Sequence, residues 1–233
     1  MPTLLLRCVA PLQAWDTQSN FNVRTTGREP TKSGIIGLLC AALGRSRSEP
    51  VDDLAALRMG VRADQEGVLL RDWHTAGKGG YLKANGQIER KNPIISTRYY
   101  LSDAAFLVGL ESNDRALLER LHQALRHPRW MLYLGRKSCP PSLPVYLPGG
   151  LRDEDLRTAL ETYPWVGQLE KRYQTLKEQN PRGLRLVIED RDGAIVQNDH
   201  PLSFERFKRR FASRRVSVEW IPWVPFRTQE VMP

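Results

Sequence analysis

The chain has 233 residues, enough for one large domain or two small ones with a real core, and 35 Lys and Arg against 26 Asp and Glu give it a formal net charge of +9. A basic surplus of that size points to a polyanionic partner, either nucleic acid or an anionic membrane surface. No apolar run of about 18 residues exists to span a bilayer, and the first nine residues are too short and too soon interrupted by Arg7 for a signal peptide, so a cytoplasmic chain is expected.

Residues 4–9 read as a buried strand, ended by Pro11. A polar loop over 13–21 leads into a basic stretch carrying Arg24, Arg28 and Lys32. Ile35, Leu38, Leu39, Ala42 and Leu43 then fall at helical spacing. Ser33 stands where a hydroxyl caps the first free N–H groups, and Gly44 supplies the stop. Gly34, Gly37 and Ala41 form a second stripe, poor in side chain, that another backbone can approach closely. Three cations ahead of the positive end of a helix dipole make an anion site that suits phosphate. Lys32-Ser33 is not a P-loop, because Thr31 stands where glycine belongs and Pro30 stiffens the loop. Phosphate contact without phosphoryl chemistry is the expectation.

Residues 52–59 read as a short helix with acidic residues at its start, closed by Gly60, and 61–63 and 68–71 are strand-like on either side of a turn. From 74 to 100 the apolar content collapses. Turn residues there carry Lys78, Lys83, Arg90, Lys91 and Arg98 together with Tyr81, Tyr99 and Tyr100. Asn85-Gly86 suggests a protruding hairpin or mobile loop. A solvated surface loop competes with nucleic-acid contact, in which rings stack on bases while cations hold phosphates. Residues 104–110 form a central strand, and residues 112–114 cap a helix whose Leu117, Leu118, Leu121 and Leu125 share a face up to Pro128. After Gly135, the donors Arg136, Lys137 and Ser138 sit in a proline-stiffened loop, either a tight structural turn or a second phosphate clamp. The order β-α-β-β-α-β suggests a ferredoxin-like, RRM-type unit.

Beyond 144 the character changes. Residues 146–150 are a turn-rich link, and 168–181 a surface helix or flexible arm. Residues 184–189 and 194–197 pair as a hairpin through Asp192-Gly193. Phe204, Phe207 and Phe211 share a helical face that anchors an arginine-rich segment in the core, and 216–223 closes as a strand. Cys8, Cys40 and Cys139 fit reduced thiols, and no Cys or His spacing suggests zinc, so no metal or cofactor is expected. The expected class is α+β: a ferredoxin-like domain over 1–141 with a β-hairpin thumb inserted at about 74–100, then a small β-rich C-terminal domain over 142–233.

Five separated motifs add a resemblance that runs nearly end to end. They are Pro-Leu-Gln-Ala-Trp at 11–15, Thr-Gly-Arg-Glu-Pro-Thr-Lys-Ser-Gly at 26–34, Arg-Asp-Trp-His-Thr at 71–75, Tyr-Leu-Gly-Arg-Lys-Ser-Cys-Pro at 133–140 and Phe-Ala-Ser-Arg at 211–214. In that order they resemble the CasD family, RAMP-superfamily subunits of the type I-E CRISPR effector Cascade. The resemblance implies a guide-RNA (crRNA) subunit that holds the five-prime, repeat-derived handle and caps the backbone filament, with the large subunit docked nearby. Target DNA is then met through the assembled complex, and no membrane is involved. Arg24, Arg28, Lys32 and Ser33, with Arg136, Lys137 and Ser138, are the expected clamps. Lys78, Tyr81, Lys83, Arg98 and Tyr99 are the expected RNA contacts of the thumb. The alternative is a metal-independent endoribonuclease processing precursor crRNA, as in type I-C relatives, with His74, Lys83 and Tyr81 or Tyr99 as acid, base and cation. Those relatives carry an adjacent Lys-His pair, whereas the histidines here follow Trp73, Leu121, Arg126 and Asp199. A non-catalytic role is therefore expected.

Overall fold

The computed structural model describes residues 1–16 and 22–226, so part of the polar loop at 13–21 lies outside the described residues. Strand β1 (Thr3–Val9) is buried along its whole length, which is why it reads as an unbroken apolar run. Short strands β2 (Leu12–Gln13) and β3 (Val23–Arg24) precede α1 (Lys32–Leu43). Thr31, not Ser33, is the N-cap: its hydroxyl accepts from the Gly34 N–H at 3.2 Å, and Ser33 lies inside the first turn. Gly44, at φ 73°, closes the helix as expected.

Helix α2 (Asp52–Ala55) is shorter than expected, because the chain enters β4 (Arg58–Gln65). Strands β5 (Val68–Ala76) and β8 (Ile94–Ser102) form a nine-pair antiparallel ribbon, and β6 (Tyr81–Leu82) pairs with β7 (Ile88–Glu89) at its tip. The thumb is therefore a hairpin that starts at Val68 rather than near residue 74. Strand β9 (Ala105–Glu111) follows, then α3 (Arg115–Arg126), capped by Asp114 and burying Leu117, Leu118, Leu121 and Leu125.

The turn-rich link expected at 146–150 is instead strand β10 (Tyr146–Arg152), where a Cβ at Gly150 would meet the Leu5 carbonyl at 2.7 Å. Helices α4 (Leu156–Thr162) and α5 (Glu170–Gln179) come next, then β11 (Leu184–Glu189), β12 (Ile195–Ser203) and β13 (Arg210–Ile221). The 184–197 hairpin does not form: β13 lies between β11 and β12 and pairs with both. The Asp190–Gly193 turn steps across β13, and a Cβ on Gly193 would stand 2.4 Å from the Val216 backbone.

One seven-stranded antiparallel sheet runs β10-β1-β9-β4-β11-β13-β12. Alternate side chains of β1 feed two cores: Leu4 and Leu6 pack with α1 and α3 on one face, and Leu5 with α4 and α5 on the other. The class is mixed α+β. The expected division at 141 and 142 does not coincide with a break in the sheet, since β10 pairs with β1 and β11 with β4. No helix among the described residues is long and apolar enough to cross a membrane. The helix expected over Phe204, Phe207 and Phe211 does not form. Residues 204–209 turn into β13, where side chains alternate; Phe204 packs on the core, but Phe207 is 91% exposed.

Candidate nucleic-acid interface

The start of α1 is closed to a ligand by the chain itself. The Lys32 N–H donates to Asp199 Oδ2 at 2.7 Å, and Asp199 in turn binds the Arg214 guanidinium at 2.6 and 3.0 Å. The Lys32 ammonium, 1% exposed, donates to both Glu189 oxygens at 3.1 and 2.9 Å. Burial pushes the Lys32 pKa down, with Glu189 opposing it. The anion foreseen at this helix dipole is Asp199, and Lys32 is a structural cation rather than a phosphate clamp.

The open site lies along the side of α1. A groove of about 650 Å³ follows the small-residue stripe. A Cβ on Gly37 would meet nothing within 4 Å, so this glycine widens the groove floor. Trp130 and the largely exposed Met131 stand in one wall, and Arg47, Lys137 and Arg209 supply cations. Arg47 and Lys137 have no carboxylate partner among the described residues, whereas Arg45 at the groove's end is held by Asp53 at 2.6 and 2.8 Å. The Arg209 pKa is lowered first by burial and then by Arg47, with Asp16 opposing. Cations that repel one another beside an open groove are relieved by a bound anion.

Of the expected clamps, Ser33 and Lys137 line this groove. Arg136 turns away from it. Its guanidinium donates to the carbonyls of Tyr99 at 3.0 Å and Thr25 at 2.9 Å and lies 4.8 Å from the Tyr100 ring centre, joining the loop to the thumb base. Gly135, at φ 87°, allows this, since a Cβ there would fall 1.6 Å from the Ala14 carbonyl oxygen. The loop thus divides its residues: Arg136 makes the structural turn, and Lys137 lines the groove. Ser138 is exposed beside them. Arg24 on β3 is in register with Arg98 on β8 at the thumb base. Arg28 is exposed, 3.7 Å from Glu66.

Strand alternation gives the thumb two faces. One carries Leu69, Trp73 and Ile95, all more than half exposed, with Arg71 stacked 4.5 Å from the Trp73 ring and Tyr99 opposite Arg71. The other holds the contact of His74 Nε2 with Asp72 Oδ2 at 2.5 Å, with Arg98 in register with Asp72. Tyr100 is buried in the core. At the tip Lys78 is exposed, Tyr81 half-buried, and Lys83 binds Glu89 at 2.6 Å. That contact raises the Lys83 pKa and, with the Lys91 and Asn92 N–H groups, holds Glu89 down to about 2.

Sequence reasoning missed Arg47, Trp130 and Met131. None lies in a periodic pattern, and the segments that carry them meet only in the fold.

The family described as "CRISPR-associated protein (Cas_Cas5)" matches residues 3–217. The chain belongs to the Cas5 family. Among Cas5-like relatives, the "CRISPR system Cascade subunit CasD" of Escherichia coli (strain K12) is 34% identical over 232 residues, covering 93% of each chain. A solved structure described as "Crystal structure of Cas protein" is 46% identical, with a TM-score of 0.75 over 97% of this chain and 100% of that one. A chain of a "CRISPR RNA-guided surveillance complex" is 31% identical, with a TM-score of 0.76 over 97% and 95%.

Proposed function

We propose that this Cas5-family chain is the subunit of a type I-E Cascade complex that holds the five-prime, repeat-derived handle of the guide RNA without cutting it. The observation that carries this reading is the groove beside α1. It offers cations without carboxylate partners for phosphates, and an indole and a thioether for unstacked bases, which is how single-stranded RNA is held. The relatives named as a Cascade subunit and as part of a surveillance complex supply the biological setting. The order β10-β1-β9-β4, with α1 and α3 packed on one face, supports a ferredoxin-like, RRM-type unit. The exposed Trp73 face of the thumb supports contact with the neighbouring backbone subunit. Docking of the large subunit, access to target DNA through the complex, and a cytoplasmic location complete the reading.

The endoribonuclease alternative is weaker. Cleavage needs a base for the 2′-OH, an acid for the leaving oxygen and a cation for the phosphate. Here the Lys83 ammonium is neutralised by Glu89, so that pair would have to break before Lys83 could meet a phosphate.

The test is binding of single-stranded repeat RNA to the full chain at several salt concentrations. Replacing Arg47, Lys137 and Arg209 together with Ala should flatten the salt slope by about 2, at roughly 0.7 per lost phosphate contact, and leave the RNA intact throughout. An unchanged slope would sink the groove assignment. Specific cleavage abolished in His74→Ala would favour the enzyme instead.

A further inference from the structure

The connection between β12 and β13 carries Arg206, Phe207, Lys208 and Arg209 in succession, and Arg210 opens β13. The Lys208 N–H donates to the Glu205 carbonyl at 3.1 Å, which closes a four-residue turn. Phe207 is the third residue of that turn and has φ 68°. This is a position where Gly or Asn is favoured and a bulky side chain is strained. The ring gains no burial in return, being 91% exposed. A strained, solvent-facing aromatic contributes nothing to folding, and such residues gather at functional sites.

The surroundings say what the ring meets. Phe204 and Arg209, on either side of the turn, both line the groove beside α1, so the tip stands at the groove's edge. The Arg206 guanidinium lies over the Phe207 ring at 4.8 Å. Lys208 is paired with Glu205 at 3.2 Å, but Arg206 and Arg210 have no carboxylate partner among the described residues. An apolar pocket on a protein would have to desolvate those arginines, whereas a nucleic-acid strand offers them phosphates beside a flat base.

We propose that Phe207 is a stacking prong for one unpaired base of single-stranded RNA, which lies on the ring face opposite the Arg206 guanidinium while Arg210 holds the adjoining phosphate. This extends, and rests on, the reading of the groove as an RNA site. The prong adds a base contact beyond the groove walls and fixes where the strand leaves them.

The experiment uses the full chain and single-stranded RNAs copied from the host repeat, each with 2-aminopurine at one position. On binding, one position should report stacking at the prong. In Phe207→Ala that signal should vanish and Kd rise about tenfold, while the salt slope stays as in the parent because no charge is removed. Phe207→Tyr should restore both signal and affinity. Phe207→Gly should bind as weakly as Phe207→Ala, yet melt at the parent's temperature or above it, because glycine tolerates this backbone angle. If Phe207→Ala binds like the parent while the Arg47, Lys137 and Arg209 variant does not, the groove stands and the prong falls. If the parent chain binds none of these RNAs, both readings fall. RNA binding that survives Phe207→Ala alongside lost assembly with partner subunits would make the tip a protein contact and overturn the proposal. A lower melting temperature for Phe207→Gly would reveal a folding role and overturn it as well.

Discussion

At the start of α1 the positive end of the helix dipole meets the Asp199 carboxylate, and Glu189 takes the Lys32 ammonium. His200 sits among these charges. Burial is the first cause holding its pKa below the ordinary 6.5, Lys32 and Arg214 add to it, and Glu189 and Asp199 oppose. The sign follows from linkage. Above the ordinary value the ring is neutral in both states, so nothing is lost. As pH falls below 6.5 the unfolded chain takes up the proton first, and stability declines until the folded ring protonates as well. The aspartates whose pKa values are lowered, Asp53, Asp155 and Asp190, act elsewhere on the scale. Their stabilisation is present above 3.8 and lost as pH falls through their still lower folded values. Urea titrations across mildly acidic pH should therefore show stability dropping in the parent, with a shallower drop in His200→Gln. Parallel curves for the two proteins would show that His200 does not sense this site.

Among the elements, the thumb is the one built almost without a core. Its tip strands β6 and β7 pair only with each other, and Leu69, Trp73 and Ile95 on its shaft face solvent. Replacing Lys78 through Lys91 with a short Gly-Ser turn should leave the melting temperature of the isolated chain nearly unchanged, since little buried area is removed. The same variant should fail to assemble with guide RNA and backbone subunits. A shortened chain that unfolds would mean the tip supports the core. The thumb was legible because turn residues and polarity are local signals, as were the caps and leucine face of α3. The β1 run and the Gly44 stop were legible for the same reason. Other features answer to distant partners. Lys32 reads as a mobile cation until Glu189, 157 residues on, is placed against it. Phe204, Phe207 and Phe211 fit helical spacing, yet β13 needs this segment as a turn and a strand between β11 and β12. The groove is assembled from α1, the Trp130 segment and the β12–β13 connection, so no single stretch announces it.

The two halves of the chain are tied together by charge as well as by the sheet. Strand β11 hydrogen-bonds along β4, so a chain ending at residue 141 would expose the β4 edge and the apolar face of Leu5 and Leu107. Such a chain would also strip α1 of Asp199 and leave the Lys32 ammonium buried without Glu189. The Arg62 guanidinium, fully buried, donates to Asp64 at 2.6 and 3.0 Å and to the carbonyls of Leu160, Tyr163 and Pro164 beyond the cut. Removing one side of a buried ionic contact costs about 3–5 kcal/mol, and whole domains have only about 5–15 kcal/mol of stability. The ionic loss at Lys32, added to the severed Arg62 carbonyl hydrogen bonds and the bared apolar face of the sheet, is enough to unfold the remainder. A fragment of residues 1–141 should therefore aggregate or show no cooperative thermal transition by circular dichroism, whereas the full chain melts in one step. A cooperative melt of the fragment with its own dispersed amide spectrum would establish two independently folding domains and overturn this view of the sheet as a single unit.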